Sequence, residues 1–302
     1  MMIGQEIRHE GTSLSFEFFP PKEQPGEDLL LQNAKKLEEL HPTFVSVTYG
    51  AGGGSAKNTR HVVERLLKET KLTPMPHLTC VDQSDDEMKA ILKDYRKLGV
   101  ENVLALRGDP PAGQHHFVAP EGGSYYAKNI VKIADDMRMF SIAVAAYPEG
   151  HPESPSLEKD MEYLKEKVDA GADFIITQMF FNNRYYYQFL ERAVKARIDR
   201  PMLAGIMVIT DIEKTKMFAK RSFTTLPDRV IDQFEKANGD PEEMKKVGIE
   251  VATRQCTDLL NHGVPYLHFY TFNQADAVSQ VVRNLGWQDP AKRKQKPASA
   301  KE

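Results

Sequence analysis

The chain has 302 residues, with 40 basic against 43 acidic side chains and a formal net charge of −3. That balance excludes a global field selecting for nucleic acid or an anionic membrane, so the expected ligand is a small molecule. Two cysteines, Cys80 and Cys256, stand far apart without a CxxC partner, which argues against a disulfide framework and a structural zinc site and fits a reducing, cytoplasmic setting.

The first segment, residues 1–12, has no hydrophobic stretch of signal-peptide length, and no window of the chain approaches a membrane span of roughly eighteen apolar residues. From there short β-rich runs recur in the order "LSFEF", "TFVSVTY", "MPHLTC", "NVLALRG", "SIAVAAY", "DFIITQ", "MLAGIM" and "YLHFYT". Helical patterns separate them: "EDLLLQNAKKLEELH", "TRHVVERLLKETK", "SDDEMKAILKDYRKLG", "AKNIVKIADDMR" and "SLEKDMEYLKEKVDAGA". The longer stretch from about Thr210 to Val264 holds "TDIEKTKMFAKRS", "LPDRVIDQFEKANG" and "DPEEMKKVGIEVATRQCTDLLNHG", which predict extra helices between strands seven and eight. The tail 289–302, "DPAKRKQKPASAKE" from Asp289 on, is charged and poor in apolar residues and is expected to be disordered.

Strands this rich in Val, Ile, Leu and Ala are expected to be parallel and covered on both faces. With the βα alternation they predict an α/β protein of the TIM-type (β/α)8 barrel class, one catalytic domain over 13–288. A doubly wound open sheet is the alternative. It usually needs fewer strands and carries a Gly-rich turn after the first, where this chain has Pro20 and Pro21.

Barrel sites lie at the carboxyl ends of the strands. The polar residues falling there are Glu17, Thr48 with Tyr49, His77, Arg107 with Asp109, Tyr147 with His151, Gln178, and His268 with Tyr270. Each has a structural alternative, such as a core histidine at 77, a helix cap at 178 or a plain salt bridge between 107 and 109. Gathering at one end of eight strands favours a shared site. "YGAGGGS", Tyr49 to Ser55, is open to two readings, a flexible loop or a close backbone approach to a phosphate or flat ring, and it lacks the Lys-Ser/Thr ending of a Walker motif. No metal motif occurs, and His115 and His116 sit in a Gly/Pro loop. "SFEFFPPK" raises the sharpest question. Glu17 is either the solvent side of an alternating strand or, if both faces are covered, a buried carboxylate that costs several kcal/mol unless paired or functional.

The motifs "SFEFFPPK", "FVSVTYGAGG", "PHLTC", "LALRGDPP", "AAYPEGHPE", "KVDAGADFIITQMFF" and "HFYTFN" together resemble the methylenetetrahydrofolate reductase family, in its order, from about Ser13 to Gly286. The resemblance implies a catalytic barrel holding FAD, with NADH or NADPH reducing the flavin, and reduction of 5,10-methylenetetrahydrofolate to 5-methyltetrahydrofolate in two half-reactions at one site. It implies a place in one-carbon metabolism and methionine synthesis, and a likeness to the short bacterial form without a regulatory domain. A proline dehydrogenase-like flavin barrel and a non-catalytic folate- or flavin-binding barrel are the rivals. A homo-oligomer is left open, since no long amphipathic seam identifies an interface.

Carried over by position, the resemblance sets FAD against Thr48, Tyr49, Ala51, His77, Arg107, Gly108, Asp109, Tyr126, Ala127, Tyr147, His151, Asp160 and Lys167. Arg107 and Lys167 would meet the diphosphate, with donors from a helix beginning near Ser124. Glu17, Asp109, Gln178 and Phe218 match positions at the folate or nicotinamide face. The chain departs from the family pattern with Lys214 for a frequent Gln, Gln274 for an Arg, and Glu166 at a basic position. Lys214 and Gln274 are therefore candidates for the folate tail. Glu17 is the expected proton donor, its pKa raised by desolvation, with Asp109 stabilising charge.

Overall fold

The computed structural model describes residues 1–49, 55–81, 83–108 and 119–287. Ala51, Asp109, His115, His116 and the tail 289–302 lie outside the described residues. Strands β1 (Ser13–Phe18), β2 (Phe44–Val47), β3 (Pro74–Thr79), β4 (Asn102–Leu106), β5 (Ser141–Ala146), β6 (Phe174–Met179), β7 (Met202–Met207) and β8 (Tyr266–Tyr270) follow the predicted runs. They pair in parallel in sequential order and close into a barrel, with Glu17 opposite Ser46 on β2 and Tyr270 on β8.

Helices α2 (Gln24–Glu38), α3 (Ser55–Glu69), α4 (Asp85–Lys97), α5 (Ala127–Asp136), α6 (Leu157–Asp169), α7 (Asn183–Lys195) and α11 (Asp276–Asn284) surround the barrel. The expected excursion before the last strand forms α8 (Ile212–Ser222), α9 (Asp228–Glu235) and α10 (Pro241–Asn261). Helix α5 starts three residues later than Ser124, whose hydroxyl donates to Asp85 Oδ1 at 2.6 Å instead of opening the helix. No described helix is long and apolar enough to cross a membrane.

Alternation sorts each strand. Phe16, Phe18, Val45, Val47, Val103 and Val144 point outward and pack with Leu30, Val63, Leu92 and Ile130 of the helices. The inward residues Phe44, Met75, Leu104, Ala143, Phe174 and Leu203 fill the barrel floor with Ile3 and Ile7, which belong to α1 (Ile3–Glu10). The first N–H groups of α1 donate to side chains at the strand starts, Ile3 to Asn102 Oδ1 at 2.8 Å and Gly4 to Ser141 Oγ at 3.0 Å, so this helix plugs the amino end of the barrel. The floor is thereby apolar and sealed, and polar inward positions are left to the carboxyl end.

Above β6 and β7 a separate apolar cluster, including Met179, Phe181, Met207, Ile209 and Phe234, seats α8 to α10. Helix α10 crosses the end of β7 so closely that a Cβ on Gly248 would fall 1.6 Å from the carbonyl oxygen of Ile209.

Candidate active site

The inward residues Ser15 and Glu17 of β1, Ser46 of β2, His77 of β3 and His268 of β8 form one buried cluster. Glu17 is 6% exposed, and its Oε2 lies 3.4 Å from His77 Nε2, 3.4 Å from His268 Nε2 and 3.4 Å from the Ser46 hydroxyl that donates to it. The solvent-side reading of Glu17 is thus excluded: its neighbours Phe16 and Phe18 face the helices, and the carboxylate faces the interior.

Burial pushes the Glu17 carboxyl up, but the His268 hydrogen bond, the fields of His77 and His268, and the Ser46 hydroxyl together hold it below the ordinary carboxylate range. That corrects the expectation of a raised pKa, which weighed burial without the imidazoles. Burial itself pushes His77 down to about 4. His77 is therefore neutral near pH 7, and among the influences that lower the carboxyl the hydrogen bond with His268 is the largest.

Tyr270 crosses the interior and donates from its hydroxyl to the Thr177 carbonyl at 2.7 Å. Gly205 leaves room for this: a Cβ there would meet the Thr177 carbonyl oxygen at 2.2 Å and Tyr270 Cε2 at 2.9 Å.

A second group lines the wall formed by β4, β5 and α6. Arg107 is held bidentately by Glu153, at 2.5 and 2.6 Å, so its ion-pair partner among the described residues is Glu153. Tyr147 meets His151 edge-on at 4.7 Å between centroids. Burial, then the positive field of Arg107 and more weakly that of Lys167, push His151 below its ordinary value against Glu153 and Asp160, so the wall sets two cations among two carboxylates. Asp160 accepts from the Ser154 hydroxyl at 2.7 Å, and Lys167 Nζ donates to the Ala145 carbonyl at 2.5 Å. The Lys167 stem keeps partial solvent access while its ammonium turns inward, and desolvation lowers its pKa to about 8.

A lysine whose folded pKa falls below its unfolded value costs stability while it stays charged. The unfolded chain binds the extra proton between about pH 8 and 10.5, so parent stability should gain on Lys167→Met as pH rises through that window. Urea unfolding of both proteins at pH 7.0 and pH 10 measures the change; a constant difference would refute the burial of this charge.

At the rim Phe19, Phe272 and Phe218 form a row, with centroids 5.5 Å and 5.0 Å apart and near-parallel rings. The Asn273 side chain pairs with the Phe19 backbone in both directions at 2.8 Å, tying the β1 and β8 loops together. Gln178 sits at the end of β6 with its Oε1 accepting the Met179 N–H at 2.9 Å; the N-cap of α7 is Asn182, so the capping alternative for Gln178 falls. Lys214 is exposed on α8 and pairs with Asp211 at 3.2 Å, and Gln274 is exposed beyond Thr271. Glu166 pairs with Lys128 at 2.7 Å. Thr48 and Tyr49 follow the end of β2, where the buried Thr59 donates to the Thr48 carbonyl at 2.9 Å; exposed Tyr126 stands at the N-cap of α5 and Ala127 begins it.

Sequence reading omitted Ser15, Ser46, Gly205 and Glu153. The serines share inward parity with Glu17 and were findable from the alternation; Glu153 and Gly205 carry no local signal. Among the described residues no cluster of His, Cys, Asp and Glu is arranged to hold a metal. A surface groove lined by Lys165, Asp169, Arg197 and Arg200 lies where α6 and α7 end, away from this constellation.

A closed parallel barrel with a coupled carboxylate–imidazole cluster, a wall of paired cations and carboxylates and an aromatic rim at its carboxyl end defines a TIM-type α/β-barrel protein with a mouth site. The family model described as methylenetetrahydrofolate reductase matches residues 2–286. A 5,10-methylenetetrahydrofolate reductase of Salmonella typhimurium is 39% identical over 274 residues, 91% of this chain and 90% of that protein. Methylenetetrahydrofolate reductase (NADH) 1 of Arabidopsis thaliana is 37% identical over 93% of this chain and 49% of its own length. This chain belongs to the methylenetetrahydrofolate reductase family. Its fold also matches an uncharacterized Clostridium thermocellum protein that binds two copies of 5-methyl-5,6,7,8-tetrahydrofolic acid, with a TM-score of 0.61 at 13% identity over 94% of this chain and 98% of that one.

Proposed function

We propose that this protein reduces 5,10-methylenetetrahydrofolate to 5-methyltetrahydrofolate, with FAD as resident cofactor and NADH or NADPH as reductant, in two half-reactions at the barrel mouth. The observation that carries the reading is Glu17, a carboxyl turned into the barrel mouth of a member of this family and coupled to an imidazole.

The residues present fit FAD. His77 Nε2 and Thr79 Oγ1 are buried without a hydrogen-bond partner on the same inward face of β3. Gly108 adopts φ +88, and a Cβ there would sit 2.6 Å from Val81 Cγ2, so the backbone is kept bare where the wall begins. Arg107 and Lys167 supply cations suited to a diphosphate, with Thr48, Tyr49, Tyr126, Ala127, Tyr147, His151 and Asp160 around them. Ala51 and Asp109 complete the proposed set from outside the described residues. When bound, FAD supplies the hydride chemistry.

The chain supplies the rest. Glu17 delivers the proton to the nitrogen that departs when the five-membered ring of the folate opens. Phe218, backed by Phe272 and Phe19, offers a face for a flat ring, and Gln178 a polar contact beside it. Lys214 and Gln274 are the candidates for the folate tail. Likeness to relatives named 5,10-methylenetetrahydrofolate reductase supports a role in one-carbon metabolism, set in the cytoplasm.

The absorption spectrum of the purified protein tests the reading. Flavin bands that bleach with NADH under anaerobic conditions and return on adding methylenetetrahydrofolate are expected; a colourless protein that takes up no added FAD would overturn it. Arg107→Met should weaken FAD binding to the apoprotein by roughly ten- to a hundredfold, the loss typical of charge-assisted hydrogen bonds. Fluorescence titration reads that constant, and an unchanged value would remove Arg107 from the FAD contacts.

A further inference from the structure

The loop between β5 and α6 is tied to itself and to the helix behind it. The Gly150 N–H donates to the Tyr147 carbonyl at 3.0 Å, the Ser154 N–H to the His151 carbonyl at 2.9 Å, and the Ser154 hydroxyl to Asp160 at 2.7 Å. Glu153 stands in the middle of this loop. Its side chain is 60% exposed, yet its carboxylate accepts from both terminal nitrogens of Arg107, whose side chain is only 18% exposed. No step of the proposed reaction gives Glu153 a task.

A guanidinium is a flat, rigid fork of five N–H groups. Glu153 accepts one from each terminal nitrogen, and the Gly108 carbonyl accepts the Nε–H at 3.3 Å. Three held donors set the plane of the fork, and with it the direction of the other two. An arginine that samples its rotamers must surrender that freedom when an anion binds; one clamped in advance has surrendered it on folding.

The main chain of Glu153 acts on a second group of the wall. Its N–H donates to His151 Nδ1 at 3.1 Å, so that nitrogen is an acceptor and the neutral ring carries its proton on Nε2. Tyr147 meets the same ring edge-on at 4.7 Å between centroids, which holds its plane. Burial, then the field of Arg107, lower the His151 pKa, in keeping with a neutral ring.

We propose that Glu153 is a positioning residue for cofactor capture: it clamps Arg107 in one plane before a diphosphate arrives and, through its N–H, keeps His151 in the Nε2–H form. The proposal rests on the reading of FAD as resident cofactor with Arg107 on its diphosphate. A carboxylate that competes for Arg107 and is expelled by the phosphate is the opposing account. The tied loop favours the clamp, because both neighbours of Glu153 are fixed, and water on the open side of the carboxylate screens its repulsion of an incoming anion.

FAD binding to the apoprotein, read by quenching of flavin fluorescence, tests the clamp in a double-mutant cycle. Glu153→Ala should weaken binding roughly tenfold, within the range for side chains of one network, and Glu153→Gln nearly as much, since an amide has one acceptor oxygen where the fork meets two. In an Arg107→Met background the same substitutions should change affinity by no more than about twofold. In histidine-15N-labelled apoprotein, His151 should show the Nε2–H tautomer both in the parent and in Glu153→Gln, which retains the main-chain N–H; loss of affinity with that signature intact separates the clamp from a collapsed loop. Tighter binding in Glu153→Ala would make the carboxylate a competitor and overturn the proposal. Equal weakening with and without Arg107, or a parent His151 protonated on Nδ1, would overturn it as well. Failure of the underlying reading is distinguishable, because the parent apoprotein would then take up no FAD, or Arg107→Met would leave its affinity unchanged.

Discussion

Glu17→Gln should slow reoxidation of the reduced flavin by methylenetetrahydrofolate about a hundredfold or more, while flavin reduction by NADH stays close to the parent rate. The amide keeps the side chain's shape and its seat beside Ser46 and His268, so folate binding should survive; what it lacks is a transferable proton. The asymmetry follows from chemistry, since only the folate half-reaction breaks a carbon–nitrogen bond whose nitrogen must be protonated. The carboxyl is held below the ordinary range in the free protein, so only a fraction is protonated near neutrality. The parent's own folate half-reaction should accordingly accelerate as pH falls toward that range. Stopped-flow mixing of prereduced enzyme with folate measures both effects. Parent-like reoxidation in Glu17→Gln with folate still bound would remove Glu17 from the proton path.

The largest effect on stability is expected from Gly248→Ala. The methyl would lie 1.6 Å from the Ile209 carbonyl oxygen and 2.7 Å from its carbonyl carbon. Both are main-chain atoms at the end of a barrel strand, so no rotamer change relieves the collision and α10 must move away. Alanine gains up to about 1 kcal/mol of helix propensity over glycine. Overpacking against fixed backbone costs more, and a net loss of about 2 kcal/mol or greater is expected, lowering Tm by several degrees. Because α10 leads directly into β8, displacement should also loosen His268 and Tyr270. A Tm equal to the parent's would mean that helix and strand end are not in this contact.

The barrel was legible in the sequence because its strands are apolar on both sides. Runs such as "SIAVAAY" can be buried only between a packed interior and a helical coat, and eight of them alternating with amphipathic segments leave few other architectures. Helix α1 was not legible. Its eight residues, "IGQEIRHE", are too short and polar to be read as a helix by themselves, and they are held by Asn102 and Ser141, far along the chain. Within the site, Glu17 was legible as an anomaly, a charge in a strand with no wet face. Its partners were not, because which imidazole meets Oε2 depends on the register between β1 and β8, set across most of the chain. The direction of its pKa was misjudged for the same reason: desolvation can be read from neighbours in sequence, but a hydrogen bond from His268 cannot. Glu153 on Arg107 is likewise a matter of loop geometry, which no local pattern encodes.

Glu17 and His268 are 251 residues apart in the chain, and they meet only where β8 closes on β1. Strands β2 to β7 can pair with their predecessors as they emerge, but the first strand keeps one edge open until the last arrives. Closing a loop of that length carries an entropic cost that grows only slowly with length, yet it delays the step, since nothing compensates until both edges meet. During synthesis the carboxylate of β1 therefore stays hydrated and its serine unpartnered, and the charge is taken out of water in the same event that completes the ring. The proton-handling cluster is thus a record of ring closure, and an open, otherwise well-paired sheet would be chemically inert however much of its helical coat had already assembled.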